Sequence, residues 1–360
     1  MSFYEPEIPE PPSIDLPKPT FPYTSGWKFV AKSHIAPTAT PVLRNCCLNV
    51  KGDRIERSEL DPVDRCLKHP PLPGSLGNYL VELEVIELIK GGDGQHCQIL
   101  RVRLGDVKSD LQSKSSNSRH IYDLKKDTVL VAKIYDPLYF DDEEGYLNPF
   151  VTMDQFYSHE VNAYMALDKF QGREIPMYYG SFTFNLPVDS KSKKERAVRM
   201  ILGEHIQGIT MAEATPGSIP QQSRQSIMRS IVDLESRIYE NDVFLMETAP
   251  QNILLVSSDS DHPRIIFLDF AHALFGRRTD DPVALDVNLF LGEYISPLLR
   301  WREKSGHITS FLKWVDWDWD SWLDAEFAYT VATIKPGMRE RWSYEDEEDF
   351  EPTGCCPCLR

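Results

Sequence analysis

The sequence predicts an α+β fold, in which a region of five strands and one helix precedes a region with a helix packed against the core. Two observations lead to this prediction. Before residue 204, apolar and polar residues alternate with a period of two over several short stretches, as in half-buried strands. After residue 205, apolar residues recur three or four positions apart, as on the buried face of a helix. A run of strands followed by a run of helices is typical of α+β proteins.

The elements follow from these patterns in chain order. The strands are predicted at residues 79–89, 97–104, 128–135, 178–184 and 198–204, and the helix of the first region at about 153–170. The glycine-rich segment 91–94 lies between the first two strands, where it predicts a tight turn. In the second region, four apolar residues between 227 and 238 recur at helical spacing, which predicts a helix packed against the core.

Composition and the predicted elements divide the chain into four parts. Residues 1–77 are rich in proline, which removes backbone donors and blocks helices and central strands, so they are predicted to form an extended arm or to remain disordered. The strand-rich region spans residues 78–204, and the helical region spans residues 205–335. Residues 336–360 form an acidic tail that contains cysteines.

The charge balance and the cysteines restrict the class of protein. The chain has 39 Lys and Arg against 55 Asp and Glu, which gives a net charge of −16. Proteins that bind nucleic acids need clustered basic residues, so a nucleic-acid partner is not expected. Neither a secretory signal nor an apolar run of about 18 residues occurs, so an intracellular protein of the cytoplasm or nucleus without a transmembrane helix is predicted. Three of the 7 cysteines cluster near the C-terminus, which suits acylation and peripheral membrane attachment; metal capture and no role at all are the alternatives.

Two polar residues mark a candidate site in the helical region. Asn252 directly precedes the apolar run 253–256, and Asp269 directly follows the apolar run 265–268. A carboxylate at the end of a buried strand needs a cation or a hydrogen-bond donor. Asp269 is therefore predicted to lie beside a cation or a donor, and Asn252 to lie where a loop enters a buried strand.

Residues 245–255 and 265–271 resemble the catalytic loop and the metal-binding strand of protein kinases. The likeness extends over about residues 78–300 and is to the protein-kinase-like fold, especially to divergent fungal members with an Ala-Pro-Arg-Asn loop, here Ala249-Pro-Gln-Asn252. It implies a two-lobed fold, with a five-stranded antiparallel small lobe that contains one helix and a mainly helical large lobe. It also implies that ATP and Mg²⁺ are bound and that the γ-phosphate passes to a hydroxyl group of an unknown protein or small molecule.

The resemblance further implies a role for each matching side chain. Asn252 and Asp269 would hold Mg²⁺, and Glu247 stands at the position of the catalytic aspartate. Lys133, in the third predicted strand, would bind the α- and β-phosphates and pair with Glu160 of the following helix. The alternative is that Lys133 is a solvated side chain near the end of a strand.

Two backbone sites complete the implied nucleotide pocket. The turn residues Gly91, Gly92 and Gly94 would present N–H groups to the phosphates, although an ordinary hairpin turn fits the same residues. Glu204 and Ile206 follow the last predicted strand and would bind the edge of adenine through their backbone groups, although a plain strand-to-loop exit also fits.

Glu247 is the main departure from the kinase pattern, and it leaves two interpretations open. Its extra methylene moves the carboxylate by about 1.5 Å relative to aspartate, a scale at which positioning losses reach roughly 10²-fold. The chain is then either a phosphotransferase with a degenerate catalytic loop, or a pseudokinase that binds nucleotide or partners without phosphate transfer. If it is an enzyme, the sequence predicts that Glu247→Asp preserves or raises turnover.

Overall fold

The computed structural model describes residues 18–43, 45–109, 121, 124–140, 147–188, 194–257, 263–276 and 291–342. Within these ranges the chain is a mixed α/β protein, with a strand-rich first half and a mainly helical second half. The strands are β1 Lys28–Ile35, β2 Ser75–Lys90, β3 Gln98–Ser109, β4 Val129–Tyr135, β5 Tyr178–Pro187, β6 Glu195–Glu204, β7 Ile209–Thr210, β8 Phe244–Leu245, β9 Ile253–Val256, β10 Arg264–Phe267 and β11 Ala273–Leu274. The α-helices are α1 Lys51–Glu59, α2 Pro62–Lys68, α3 Pro149–Ala166, α4 Gln221–Glu240, α5 Pro297–Arg300, α6 Trp319–Glu326 and α7 Pro336–Arg341.

The first half is a closed antiparallel barrel of six strands, in the order β1-β2-β3-β4-β6-β5. The expectation of a five-stranded sheet is therefore wrong by one strand. The additional strand, β1, pairs with β2 and β5 at once, for example through Lys28 opposite Glu84 and Lys32 opposite Thr183. Because β1 fills the gap between β2 and β5, the sheet closes and these strands have no free edge.

The segment 1–77, which the sequence predicts to be an extended arm or disordered, contains helices α1 and α2 and also the strand β1. Prolines at positions 22 and 37 lie on either side of β1, and the alternating pattern between them is too short to stand out from the proline-rich segment. Ala31 and Ser33 are buried, whereas Val30 is 52% exposed. The alternation gives β1 one face toward the barrel core, which is the property that β pairing requires.

Helix α3 packs against the outside of the barrel, on strands β4 and β6. Asn148 caps its first turn, because its Oδ1 atom accepts hydrogen bonds from the backbone N–H groups of Phe150 (3.0 Å) and Val151 (3.3 Å). Pro149 then occupies the first helical position, where a missing N–H costs nothing. Most of the helix is buried on all sides, so α3 is held in a fixed position relative to the barrel.

The second half is organised around helix α4. Its four regularly spaced apolar residues are all buried, as the sequence predicts, and they belong to a core that includes the large side chains of Trp301, Phe311 and Trp314. Two short pairings, β9 with β10 and β8 with β11, lie beside this core. These pairings position the loops that carry the polar residues of the candidate site.

No helix among the described residues is both long enough and apolar enough to cross a membrane. Residues 343–360, which include most of the acidic tail and the C-terminal cysteines, and residues 277–290 lie outside the described residues, and so do the predictions made for them. The start of the tail forms helix α7.

Buried histidines make the stability of this fold pH-dependent. Burial, together with the charge of Arg199, lowers the pKa of His34 to about 4. Because this folded-state pKa lies below that of an unfolded histidine, the unfolded chain binds the proton more tightly. The stabilisation is complete above pH 6.5 and is lost as the pH falls toward 4, by up to about 1.4 kcal/mol per pH unit.

We expect His34→Gln to reduce this loss. The check is the difference in Tm between the variant and the parent protein at pH 6.5 and at pH 4.5, which should shrink at the lower pH. Tyr157→Phe is the matched control, because it removes the hydroxyl 2.6 Å from His34 Nδ1 but keeps the imidazole. A Tm difference for His34→Gln that is the same at both pH values would contradict the prediction.

Candidate functional site

Lys133 is the centre of the candidate site. It lies on β4 and is 8% exposed, and its Nζ atom is 2.6 Å from Glu160 Oε2 and 2.6 Å from Asp269 Oδ1. Burial disfavours the charged ammonium, but the two carboxylates more than offset this and raise the pKa of Lys133 well above its usual range. The lysine is therefore a fixed positive charge at neutral pH, and it is not a solvated surface residue.

Glu160 holds this lysine from the side of helix α3. It is 3% exposed, and its Oε2 atom also accepts a hydrogen bond from the Tyr135 hydroxyl. Burial raises the pKa of the carboxyl group, while Lys133 and Tyr135 act against the shift. The predicted contact between Lys133 and Glu160 is thus present, and a buried hydroxyl restrains its geometry further.

Asp269 approaches the same lysine from the end of β10. Its φ angle is +62°, a left-handed conformation that costs a non-glycine residue roughly 1–2 kcal/mol. Its Oδ1 atom accepts hydrogen bonds from Lys133 and from the backbone N–H of Ala271 (3.3 Å), which hold this conformation in place. Although burial opposes ionisation, Lys133 lowers the pKa of Asp269 to about 2. Its side chain is still 38% exposed, so the ionised carboxylate remains accessible to a ligand.

Asn252 and Glu247 lie in the loop between β8 and β9, which turns through the 3₁₀ segment Pro250–Asn252. The Asn252 side-chain amide donates a hydrogen bond to the Glu247 carbonyl oxygen (3.1 Å), which fixes the shape of the loop. The Asn252 carbonyl oxygen accepts a hydrogen bond from Leu268 N–H (2.8 Å). This bond ties the loop to the residue directly before Asp269. Glu247, Asn252 and Asp269 accordingly line one small surface depression.

His272 belongs to this site, and the sequence does not predict it. Its Nδ1 atom lies 2.8 Å from Glu247 Oε1, and its ring meets the edge of Phe156 with a centroid distance of 4.6 Å. The pairing of Leu245 with Ala273 explains the contact, because it places the residues that follow β8 beside the residue that precedes β11. The only sequence signal is the position of His272 three residues after Asp269.

The contact with His272 controls the charge on Glu247. The hydrogen bond to the imidazole is the main reason that the pKa of Glu247 is lowered, and burial opposes the shift. Glu247 is therefore an ionised carboxylate at neutral pH, with one oxygen held by His272. The Nε2 atom of His272 is buried and has no hydrogen-bond partner among the described residues.

The glycine turn between β2 and β3 does not present all of its backbone N–H groups to a ligand, whereas the sequence predicts a turn whose N–H groups bind phosphate. Gly92 N–H donates to Gln98 Oε1 (2.7 Å) and Gly94 N–H donates to the Tyr139 carbonyl oxygen (3.2 Å). A Cβ atom on Gly91 would lie 2.3 Å from Gln98 Oε1, so glycine is required there by the Gln98 contact itself. Two N–H groups that were expected to face a phosphate are thus engaged within the protein.

The predicted adenine-binding segment leaves the barrel at the end of β6. Glu204 is bound twice to Met177: its N–H donates to the Met177 carbonyl oxygen (2.9 Å), and its Oε2 atom accepts from Met177 N–H (3.1 Å). The Glu204 N–H group is consequently not free for a ligand. Ile206, two residues farther on, is partly buried, and no backbone hydrogen bond to a described residue occupies its N–H group.

The donor set fits a hard cation only in part. Among the described residues, no three or more His, Cys, Asp or Glu side chains are placed to hold a metal ion together. Asp269 and Asn252 provide a carboxylate and an amide, which suits Mg²⁺, since this ion keeps several waters and takes further ligands from phosphates. A Mg²⁺ ion is thus compatible with these two residues only if it arrives with a phosphate-bearing ligand.

Comparison with known proteins gives matches among solved structures alone. No protein-family model and no curated protein sequence matches it. Among solved structures, the chain is similar to the Rio2 kinase of Chaetomium thermophilum in its ADP/Mg²⁺-phosphoaspartate complex, with 14% sequence identity and a TM-score of 0.35. The match covers 72% of this chain and 69% of that one. The likeness is too distant to assign a role to any residue.

Proposed function

We propose that the chain has a two-lobed protein-kinase-like fold and is a phosphotransferase, which binds ATP with Mg²⁺ and transfers the γ-phosphate to a hydroxyl group. The observation that carries this proposal is the contact of the buried Lys133 with both the buried Glu160 and the partly exposed Asp269. These two partners are 27 and 136 residues away in sequence. Burying the charges of Lys133 and Glu160 together is expensive, which favours a functional reason for the arrangement.

Four residues have distinct roles in the proposed binding of phosphate. Lys133 supplies the positive charge for phosphate oxygens, and Glu160 keeps the ammonium in place when a phosphate replaces Asp269 as its second partner. Asp269, which is ionised and partly exposed, and Asn252 are the residues that would hold Mg²⁺. Bound Mg²⁺ would neutralise the charge of the phosphates.

Glu247 is the residue that would accept the proton of the attacking hydroxyl group. It lines the same depression as Asp269, its side chain is 33% exposed, and its lowered pKa keeps it in the basic form. His272 orients the carboxylate through the bond to Oε1 and leaves the other oxygen for the acceptor. This restraint offsets the additional rotatable bond that glutamate has relative to aspartate.

ATP binding is the first test of the proposal. We expect calorimetry to detect Mg²⁺-dependent binding of ATP to the full chain, and we expect Asp269→Asn to abolish the dependence on Mg²⁺. Lys133→Met should weaken binding of the nucleotide with or without the metal. Lys108→Met is the matched control, because Lys108 also pairs with a carboxylate on the barrel, Glu82, but lies at its surface.

Two outcomes would contradict the assigned nucleotide site. One is the absence of ATP binding at millimolar nucleotide, and the other is equal binding by the parent protein and Lys133→Met. If ATP binds, mass spectrometry after incubation with peptide and small-molecule acceptors decides whether phosphate is transferred.

The second candidate function is that of a pseudokinase, which binds nucleotide or a partner protein without transfer. The bonds of Gly92 and Gly94 within the protein favour it, because they remove donors that would otherwise position the phosphates. ATP binding without any phosphorylated product, over a broad range of acceptors, would favour this function over the first.

A further inference from the structure

Two adjacent cysteines form a thiol pair outside the candidate site. The Sγ atoms of Cys46 and Cys47 are 3.8 Å apart, and they lie 3.4 Å and 3.1 Å from the same acceptor, Gln155 Oε1. Cys47 is completely buried, whereas Cys46 is partly exposed. The left-handed conformation of Asn45, with φ of +61°, begins the turn that presents both thiols to the same glutamine.

The pair lies where the segment after Asp269 meets helix α3. Cys47 belongs to the apolar cluster that contains Phe156 and Val161 of α3, together with Ala271 and Leu274. Gln155, the shared acceptor, is 1% exposed and belongs to the same helix, five residues before Glu160. A chemical change at the thiols is therefore next to the element that holds Lys133.

We propose that Cys46 and Cys47 are an oxidation site, at which hydrogen peroxide converts the two thiols into one disulfide. The partly exposed Cys46 thiolate attacks a peroxide oxygen, the O–O bond breaks, and a sulfenic acid and a hydroxide ion form. The Cys47 sulfur then attacks the Cys46 sulfur, displaces the hydroxyl group, and releases its own proton, so that two waters are formed in total. The sulfurs lose two electrons and the peroxide gains them.

The product is easily reduced because the residues are neighbours in sequence. Consecutive Cα atoms are about 3.8 Å apart, whereas disulfides usually join Cα atoms about 4.4–6.8 Å apart. A bond across adjacent residues is therefore strained, and strained disulfides have the more oxidising potentials that are typical of reversible sites. The disulfide therefore forms when peroxide is supplied and is reduced again when reducing thiols are supplied.

The chain contains its own controls for this chemistry. Burial raises the pKa of the Cys66 thiol and of the Cys97 thiol to about 12, so the reactive thiolate is scarce at both positions. Among the described residues, the sulfur atoms of Cys66 and Cys97 are not hydrogen-bonded to another cysteine. The remaining cysteines, Cys355, Cys356 and Cys358, are replaced by serine in the test protein, because two of them are also adjacent.

The experiment treats this full-length triple-serine protein with increasing hydrogen peroxide, alkylates the remaining thiols after denaturation, and maps the peptides by mass. We expect the peptide with Cys46 and Cys47 to lose two hydrogen atoms at a dose about tenfold below that which modifies Cys66 or Cys97. Dithiothreitol should restore it. In Cys47→Ser, dimedone should trap Cys46 as the sulfenic acid. Hydrogen exchange of residues 153–160 should quicken on oxidation, because two donors to Gln155 are lost.

The proposal is overturned if Cys66 or Cys97 is modified first, or if Cys46 passes to the sulfinic acid while Cys47 stays reduced. It does not depend on ATP binding, so its outcome is separate from that of the proposed phosphotransferase.

Discussion

Glu247→Ala should lower phosphate transfer by roughly 10²–10⁴-fold, the range that a positioned acid–base group contributes. The affinity for ATP should change little, because Glu247 contacts neither Lys133 nor Asp269. The measurement is single-turnover transfer to an accepted substrate, together with calorimetry of ATP binding. Glu82→Gln serves as the control, because it removes a carboxylate from the outer surface of the barrel. Unchanged transfer in Glu247→Ala would place the catalytic carboxylate elsewhere.

The bond between Glu247 and His272 changes the expectation for Glu247→Asp. From sequence, the shorter side chain was expected to preserve or raise turnover. In the structure, shortening withdraws the carboxylate by about 1.5 Å from an imidazole nitrogen that lies 2.8 Å away, so the orienting bond is lost. We now expect Glu247→Asp to lower kcat and His272→Ala to lower it similarly, with KM for ATP preserved in both. His272→Asn, which keeps a donor, should recover part of the loss. Higher turnover in Glu247→Asp would show that His272 does not position the base.

The largest effect on stability is expected at a buried ion pair in the barrel. The Asp136 carboxylate accepts hydrogen bonds from Arg196 Nη1 (2.5 Å) and Nη2 (2.7 Å), from the Tyr23 hydroxyl (2.5 Å) and from Leu138 N–H (3.1 Å). Asp136→Ala leaves the guanidinium buried at 4% exposure without its partner. Removing one member of such a pair costs about 3–5 kcal/mol. We expect the free energy of unfolding in urea to fall by this amount.

A second variant separates the charge from the space that it fills. In Asp136→Leu combined with Arg196→Met, no charge is left buried, so much of the lost stability should return. Tyr23→Phe, which removes one hydroxyl donor to the charged carboxylate, should cost about 1.5–3 kcal/mol. If the double variant is less stable than Asp136→Ala, the Asp136–Arg196 pair stabilises the fold through its packing and hydrogen bonds more than through charge compensation.

Residue types and element order are sufficient to predict part of the site. Lys133, Glu160 and Asp269 each lie in or directly after an element with a clear periodic pattern, and the kinase resemblance supplies the order in which those elements meet. The contact of Lys133 with Glu160 follows once a strand is packed against the next helix. Lys133 also contacts Asp269, whose backbone is left-handed. Neither feature follows from a periodic pattern, because both depend on distances in the folded chain.

Other features depend on tertiary contacts between distant residues. His272 meets Glu247 because β8 pairs with β11, and strands of two residues are too short to leave a pattern. The glycine donors are taken up by Gln98 and Tyr139, whose side-chain and backbone directions are set only in the folded barrel. Strand β1 was missed because prolines surround it, and its pairing partners are fixed by closure of the sheet.

Closure of the barrel by its first strand also has a consequence for biosynthesis. Lys32 pairs with Thr183, which leaves the ribosome 183 − 32 = 151 residues later. At about 5–20 residues per second, β1 waits roughly 8–30 s for β5, the strand that pairs with its other edge. During this time the nascent chain exposes an unpaired strand edge, the kind of surface that attracts other chains. Slower translation before residue 187 should therefore increase aggregation and the demand for chaperones.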